Sequence, residues 1–173
     1  MLYLYKSNKV RINKSLSHEK LFNLFHIFYG LDLSDEDLYY NQFKKPYLKK
    51  NLYFSISHTS DVLAIIIFHS NVGIDIEKIR EIDLSLISSF LTLDEINYIE
   101  NSIKKSETFF KIWTCKEAYV KYLGMGLYKG FKTFTVAFKE DECYIKNDGT
   151  IRLMNFVLNY HEDKYSISIV IKK

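Results

Sequence analysis

The sequence predicts an α+β fold in which a helix followed by antiparallel strands occurs twice. Two observations predict it. In the first half, Leu21, Leu24, Phe25 and Phe28 recur at helical spacing and are followed by the strand-like segments 52–57, 62–68 and 72–77. In the second half, a helical stretch to about Leu123 precedes four strand-like segments at 131–138, 142–146, 151–159 and 164–171. The repeated order permits two similar lobes, roughly 1–78 and 79–173.

Each element has its own local signal. Ser15 or Ser17 is the expected cap of the first helix, and Gly30 lies just past its end. Residues 62–68 and 72–77 flank the short polar stretch His69-Ser70-Asn71, which suggests a hairpin. Thr92-Leu93-Asp94-Glu95 has the Thr-x-x-Glu form of a capping box and should open a short helix. Ser106 is the expected cap of a longer helix whose buried stripe is Phe109, Ile112, Trp113, Val120 and Leu123, with Gly124 as its stop. Asn147-Asp148-Gly149-Thr150 reads as a hairpin turn.

Composition narrows the function class. A chain of 173 residues, 47% hydrophobic and 16% aromatic, is long and apolar enough to bury a core. The net charge of +3 is too mild for a nucleic-acid binder but suits an acidic small molecule or acidic protein partner. Two cysteines, Cys115 and Cys143, make no disulfide framework, and reduced thiols are expected. The first residues (MLYLYKSNKVRINK) lack the apolar core of a signal peptide, and the longest apolar run, Val62–Phe68, is far short of the ~20 residues a membrane helix needs. The expectation is a cytoplasmic protein that engages no membrane.

Several side chains then carry possible chemistry. In Gly73-Ile74-Asp75-Ile76-Glu77-Lys78, the two acids share one strand face about 7 Å apart. They either form a solvated face with Lys78 as partner or hold a hard cation such as Mg²⁺. Glu117 and Lys121 lie four apart on one helix flank, as an ion pair worth ~0.3–0.5 kcal/mol would. Lys116 falls inside the apolar stripe, where a lysine either snorkels or serves a site. His58, closing the strand that ends Ser57-His58, either donates to a phosphate or caps the turn. Lys45-Pro46 holds a lysine on a rigid extended element.

The order of these pieces is more telling than any one of them. Lys-Pro, a strand ending Ser-His, Gly-Ile-Asp-Ile-Glu, then Trp-Thr-x-Lys-Glu-Ala-x-x-Lys resembles the 4′-phosphopantetheinyl transferases of the surfactin-synthetase type, over roughly residues 14 to 127. The resemblance implies one transferase unit over 1–173, with two similar α/β lobes and the site in the cleft between them. It implies transfer of the phosphopantetheine arm of coenzyme A, the co-substrate, to a serine of a carrier protein of fatty-acid, polyketide or peptide synthesis. Asp75, Glu77 and Glu117 would hold Mg²⁺. His58 and Lys121 match phosphate-contacting positions, Lys116 matches a further motif lysine, and Glu117 is also a candidate base. Lys45 and Ser57 match positions near the nucleotide, and Lys14 with Ser15 matches a pair reaching the 3′-phosphate. The apolar stretch Leu84, Leu86, Ile87, Phe90, Leu91 would meet a carrier helix, or else pack in the core. A two-lobed chain is expected to work as a monomer, without nucleic acid.

Two departures from the resemblance shape the alternatives. Only about a dozen residues, with Lys9, Arg11 and Lys14, serve where relatives have a longer basic N-terminal portion, and Lys44 stands where glycine is common. The first implies weaker coenzyme A anchoring, and the second an altered adenine pocket. The alternative is therefore a non-catalytic relative that binds a carrier or other protein. A third class is a generic Mg²⁺-dependent nucleotide phosphohydrolase, which would need no carrier.

Overall fold

The computed structural model describes residues 1–7, 11–83, 88–140, 142–160 and 162–173, and for 127 and 128 the backbone only. Its strands are β1 (Leu2–Lys6), β2 (Tyr39–Tyr40), β3 (Pro46–Tyr47), β4 (Tyr53–His58), β5 (Val62–Phe68), β6 (Val72–Lys78), β7 (Val136–Lys139), β8 (Glu142–Ile145), β9 (Ile151–Tyr160) and β10 (Asp163–Lys172). Its α-helices are α1 (Lys14–Tyr29), α2 (Leu93–Glu100) and α3 (Lys105–Leu123). All strand pairings among the described residues are antiparallel, which with the helices makes the fold α+β.

Two three-stranded sheets dominate, in the orders β1-β5-β4 and β6-β10-β9. The expected hairpin across His69–Asn71 does not form, because β5 pairs with β1 and β4 while β6 pairs with β10. The chain therefore crosses from one sheet to the other in that short turn. Likewise the turn at 147–150 joins β8 to β9 without pairing them: β8 pairs with β7 and β9 with β10. Residues 131–133, expected in a strand, form a 3₁₀ turn before β7.

Helix starts and stops follow backbone chemistry. Asn13, not Ser15 or Ser17, caps α1, its side chain accepting from the Leu16 amide, and Gly30 ends the helix in the left-handed region at φ 63°. The expected capping box opens α2, with Thr92 and Glu95 reciprocally bonded. Lys104 precedes α3 with no side-chain cap, so Ser106 does not cap it, and Gly124 closes it at φ 69°.

Burial follows the strand period of two and the helix period of 3.6. Leu21, Leu24 and Phe25 of α1 pack with Phe54, Leu63, Ile65 and Ile67 under the first sheet, whereas Phe28 is exposed. Val62, Ala64 and Ile66 face Ile74, Ile76, Ile167 and Ile169, joining the two sheets. On the other side of the second sheet, α3 buries Phe109, Ile112, Cys115, Ala118 and Val120 in a third cluster. Each full burial of such a side chain contributes about 1.5–3 kcal/mol. Helix α3 is thus packed between β6 and β10 on one side and β7 and the loop before it on the other.

Candidate functional site

Alternation in β6 decides which residues meet α3. Ile74 and Ile76 enter the core between the sheets, so Gly73, Asp75 and Glu77 face the helix. At Gly73 the helix comes so close that a Cβ would lie 2.0 Å from the Ala118 carbonyl and 2.5 Å from the Tyr122 amide. Only glycine fits that approach. Because α3 covers this face, Asp75 is 4% exposed, which rules out a solvated carboxylate.

Asp75 is held from both sheets and from the helix. Its Oδ1 accepts from Ser57 Oγ of β4 at 2.6 Å and from Lys121 Nζ of α3 at 2.7 Å. Its Oδ2 is buried with no hydrogen-bond partner among the described residues. Lys121 thus pairs across the seam with Asp75 rather than with Glu117 along the helix. Lys78, the other candidate partner, bonds Asp163 at 2.7 Å.

Two further carboxyls feel Asp75. Burial, then repulsion by Asp75 and Glu77, raises the Glu117 carboxyl to about 7, with Lys121 opposing. Burial, then Asp75, also raises Glu77, opposed by Arg80, Lys121 and a hydrogen bond from Trp113. Three acids in mutual repulsion, one with an orphaned oxygen, have the donor chemistry that suits a hard divalent cation. As the side chains stand, no group of three or more His, Cys, Asp or Glu among the described residues converges into a preformed metal site. Lys121 occupies the place on Asp75 where positive charge is needed.

Lys45 approaches α3 from the turn after β2 and reaches the Tyr122 carbonyl, one residue past Lys121. Its ammonium donates to Asn71 Oδ1 at 2.9 Å and to the Val72 and Tyr122 carbonyls at 3.2 and 3.5 Å. Burial lowers it to about 8. The turn that delivers it is braced by Asn41, whose Oδ1 accepts from the Phe43 and Lys45 amides and whose Nδ2 donates to the Gly124 carbonyl. Lys44, at φ 65°, takes the left-handed conformation that a glycine holds more easily. A cavity of about 210 Å³ links this turn to the cluster, lined by Lys44, Lys45, Pro46, Ser55, Lys121 and Gly126 among others. A second, of about 320 Å³, opens between Lys45, Tyr47, Lys50, Tyr53 and Asn71.

The remaining expected residues fall into three groups. His58 is exposed at the end of β4, its Nδ1 donating to the Thr59 carbonyl at 3.0 Å. Lys14 and Ser15 are exposed on the first turn of α1, with the Lys14 ammonium 5.3 Å over the Tyr40 ring, and Tyr40 pairs with Pro46. Lys116 departs from the catalytic expectation. It is fully buried, ion-paired to Glu95 at 2.8 Å, and donates to the Phe131 and Phe134 carbonyls at 2.7 and 2.9 Å. Its three N–H groups all have partners inside the core, so none remains for a phosphate.

Of the apolar stretch expected to meet a carrier, Leu84, Leu86 and Ile87 lie outside the described residues, as does Lys9. Leu91 is buried, and Phe90 is exposed edge-on to Trp113 and Phe131. Both cysteines are free and buried, and no helix among the described residues is long and apolar enough to cross a membrane. Sequence reasoning missed Asn41, Asn71 and Ser55. The alternating serines of Tyr53–His58 were the available signal for Ser55.

Known proteins resemble this chain in sequence and fold. The family profile described as the 4′-phosphopantetheinyl transferase superfamily matches residues 71–170. The chain is 32% identical over 110 residues to the 4′-phosphopantetheinyl transferase gsp of Aneurinibacillus migulanus, covering 61% of this chain and 46% of that protein. It is 34% identical over 101 residues to 4′-phosphopantetheinyl transferase psf-1 of Bacillus pumilus, covering 56% and 43%. The chain spans about half the length of the curated relatives it matches. Among solved structures, a holo-(acyl-carrier-protein) synthase from Bacillus anthracis str. Ames in complex with CoA (3′,5′-ADP) superposes with a TM-score of 0.47 at 20% identity, over 60% of this chain and 96% of that one.

Proposed function

The chain belongs to the 4′-phosphopantetheinyl transferase superfamily, and from that premise we propose that it moves the phosphopantetheine arm of coenzyme A onto a serine hydroxyl of a carrier protein. The observation that carries the reading is the buried Asp75, bonded by Lys121 on one oxygen and unpartnered on the other, beside a Glu117 held near neutral pH. Taken as the two sheets with their helices, the two lobes divide at the turn 69–71 rather than at the expected 78, because β6 pairs with β10, and the substrates meet at the seam between β4, β6 and α3.

The chain's own residues supply binding and proton handling. The coenzyme's phosphates take up Lys121 and His58, while Lys45 and Ser57 border the nucleotide, with Lys14 and Ser15 toward the 3′-phosphate. Lys45 is kept close to the cleft by Asn71 and the Tyr122 carbonyl, and its weak hold on its proton leaves its charge responsive to an incoming anion. Glu117, its carboxyl raised to about 7 by burial and Asp75, takes the proton of the carrier serine directly or through a water as that oxygen attacks the β-phosphorus. The bond from that phosphorus to the α-side oxygen breaks, and adenosine 3′,5′-bisphosphate leaves. Asp75, Glu77 and Glu117 would hold Mg²⁺, which supplies positive charge to the pyrophosphate oxygens when bound. The orphaned Asp75 oxygen supports that assignment.

Incubation with coenzyme A, Mg²⁺ and a panel of apo carrier proteins tests the reading by the mass of the transferred arm. Transfer to at least one carrier is expected. A folded protein that binds coenzyme A and modifies none of a broad panel overturns it.

A further inference from the structure

We propose that Lys116 and Glu95 form a buried staple that sets the rotation of α3, so that Lys116 positions Glu117 and Lys121 and does not itself touch substrate. The activity arm of this proposal rests on the transfer reading above, and the stability and fluorescence arms do not.

Glu95 and Lys116 both have side chains at 0% exposure and meet at 2.8 Å. Around them converge four segments. The Thr92 amide donates to Glu95 Oε2 at 2.8 Å and the Val136 amide to Oε1 at 2.7 Å. The Phe131 and Phe134 carbonyls accept from the ammonium at 2.7 and 2.9 Å, and the Phe134 ring lies 4.5 Å from it. The staple therefore ties α3 to the start of α2, to β7 and to the loop before β7.

Helical geometry converts this into a setting of the site. Successive residues turn by about 100°, so fixing Lys116 toward this core turns Glu117 about 100° and Lys121 about 140° away, onto one flank. That flank meets Asp75, which Lys121 reaches at 2.7 Å. On the far side the bare Gly73 lets the helix backbone rest against β6. The helix is thus pinned on one side by charge and seated on the other by close contact. A lysine with its three donors saturated by protein has the form of a support, not of a phosphate ligand.

Breaking a buried pair leaves an uncompensated charge, whereas removing both charges is often nearly neutral, so a double-mutant cycle separates the roles. Glu95→Gln and Lys116→Met are each expected to lower the unfolding midpoint by roughly 10 °C. Each is also expected to shift the emission of Trp113, the single tryptophan, which sits on α3 beside Glu77. The double variant should recover midpoint and emission and transfer within about tenfold of the unaltered protein. Recovery of fold with transfer still down by about 100-fold or more places Lys116 on the substrate and overturns the proposal. So does a double variant no more stable than Lys116→Met. Should Lys116→Met fail to fold, unchanged transfer in Glu95→Gln overturns it equally, since Glu95 touches only protein. Absence of transfer in the unaltered protein would instead defeat the transfer reading, leaving the staple to be judged by midpoint and emission.

Discussion

Lys121 and Asp75 meet at 2.7 Å across the seam between α3 and β6, and the pairing leaves the second oxygen of that carboxylate buried and alone. A half-satisfied buried carboxylate is unfavourable in the free protein and favourable once a cation arrives. Asp75→Ala is accordingly expected to reduce transfer by at least about 100-fold while the protein stays folded, with circular dichroism as the control. Retained transfer would remove Asp75 from the site.

Cation binding should be measurable without any substrate. Titrating Mg²⁺ into chelator-treated protein is expected to raise the unfolding midpoint in proportion to the logarithm of its concentration. The rise should vanish in both Asp75→Ala and Glu117→Gln. A rise that persists in these variants would place the cation elsewhere.

The raised Glu117 carboxyl gives stability a definite pH dependence. The folded group holds its proton up to about 7, well above its ordinary value of 4.5, so in the window between them the folded state binds more protons than the unfolded one. Its contribution to stability is complete below that window and is lost as pH rises to about 7. Denaturant titrations at pH 4.5 and 7.5 should show this loss in the unaltered protein and a smaller one in Glu117→Gln. An identical change in both would remove Glu117 as its source.

Gly73→Ala places a methyl 2.0 Å from a backbone carbonyl, which no side-chain rotation can relieve. Helix α3 must move, at an expected loss of about 1–3 kcal/mol in denaturant unfolding. Transfer should fall further than stability alone explains, because Glu117 and Lys121 move with the helix. An alanine variant with unaltered stability would show that β6 and α3 do not touch in solution.

Ser57→Ala removes a donor to Asp75 and an acceptor for the Ile76 amide at one stroke. The expected loss is about 1–3 kcal/mol, since both partners are buried. Denaturant unfolding reads this loss, and unaltered stability in Ser57→Ala would remove Ser57 from the join between β4 and β6.

Much of this arrangement was legible in residues with strong local signals. The alternation of Gly73–Lys78 gave the acidic face, Thr92 and Glu95 gave the start of α2, and Gly30 and Gly124 gave two helix ends. What stayed hidden depended on pairing over long separations. Nothing local to Val62–Phe68 and Val72–Lys78 says that β6 pairs with β10, about 90 residues on, instead of with the adjacent strand. Strand β1 carried a period-two pattern but too short a one to stand out from its surroundings. Lys116 was visible as an anomaly in an apolar stripe, yet its partner Glu95 was already explained as a capping residue. One carboxylate serving both duties is beyond any spacing rule.

The two sheets meet along a seam where the Ile74 and Ile76 amides donate to Ser55 and Ser57 hydroxyls, 3.1 and 3.3 Å away, in place of strand carbonyls. A backbone ladder there would weld the halves into one continuous sheet. The hydroxyls instead carry the link from buried positions and leave each ladder complete in itself. The join between the halves is therefore made by side-chain hydroxyls over a shared apolar core, and through Ser57 it reaches the carboxylate of Asp75.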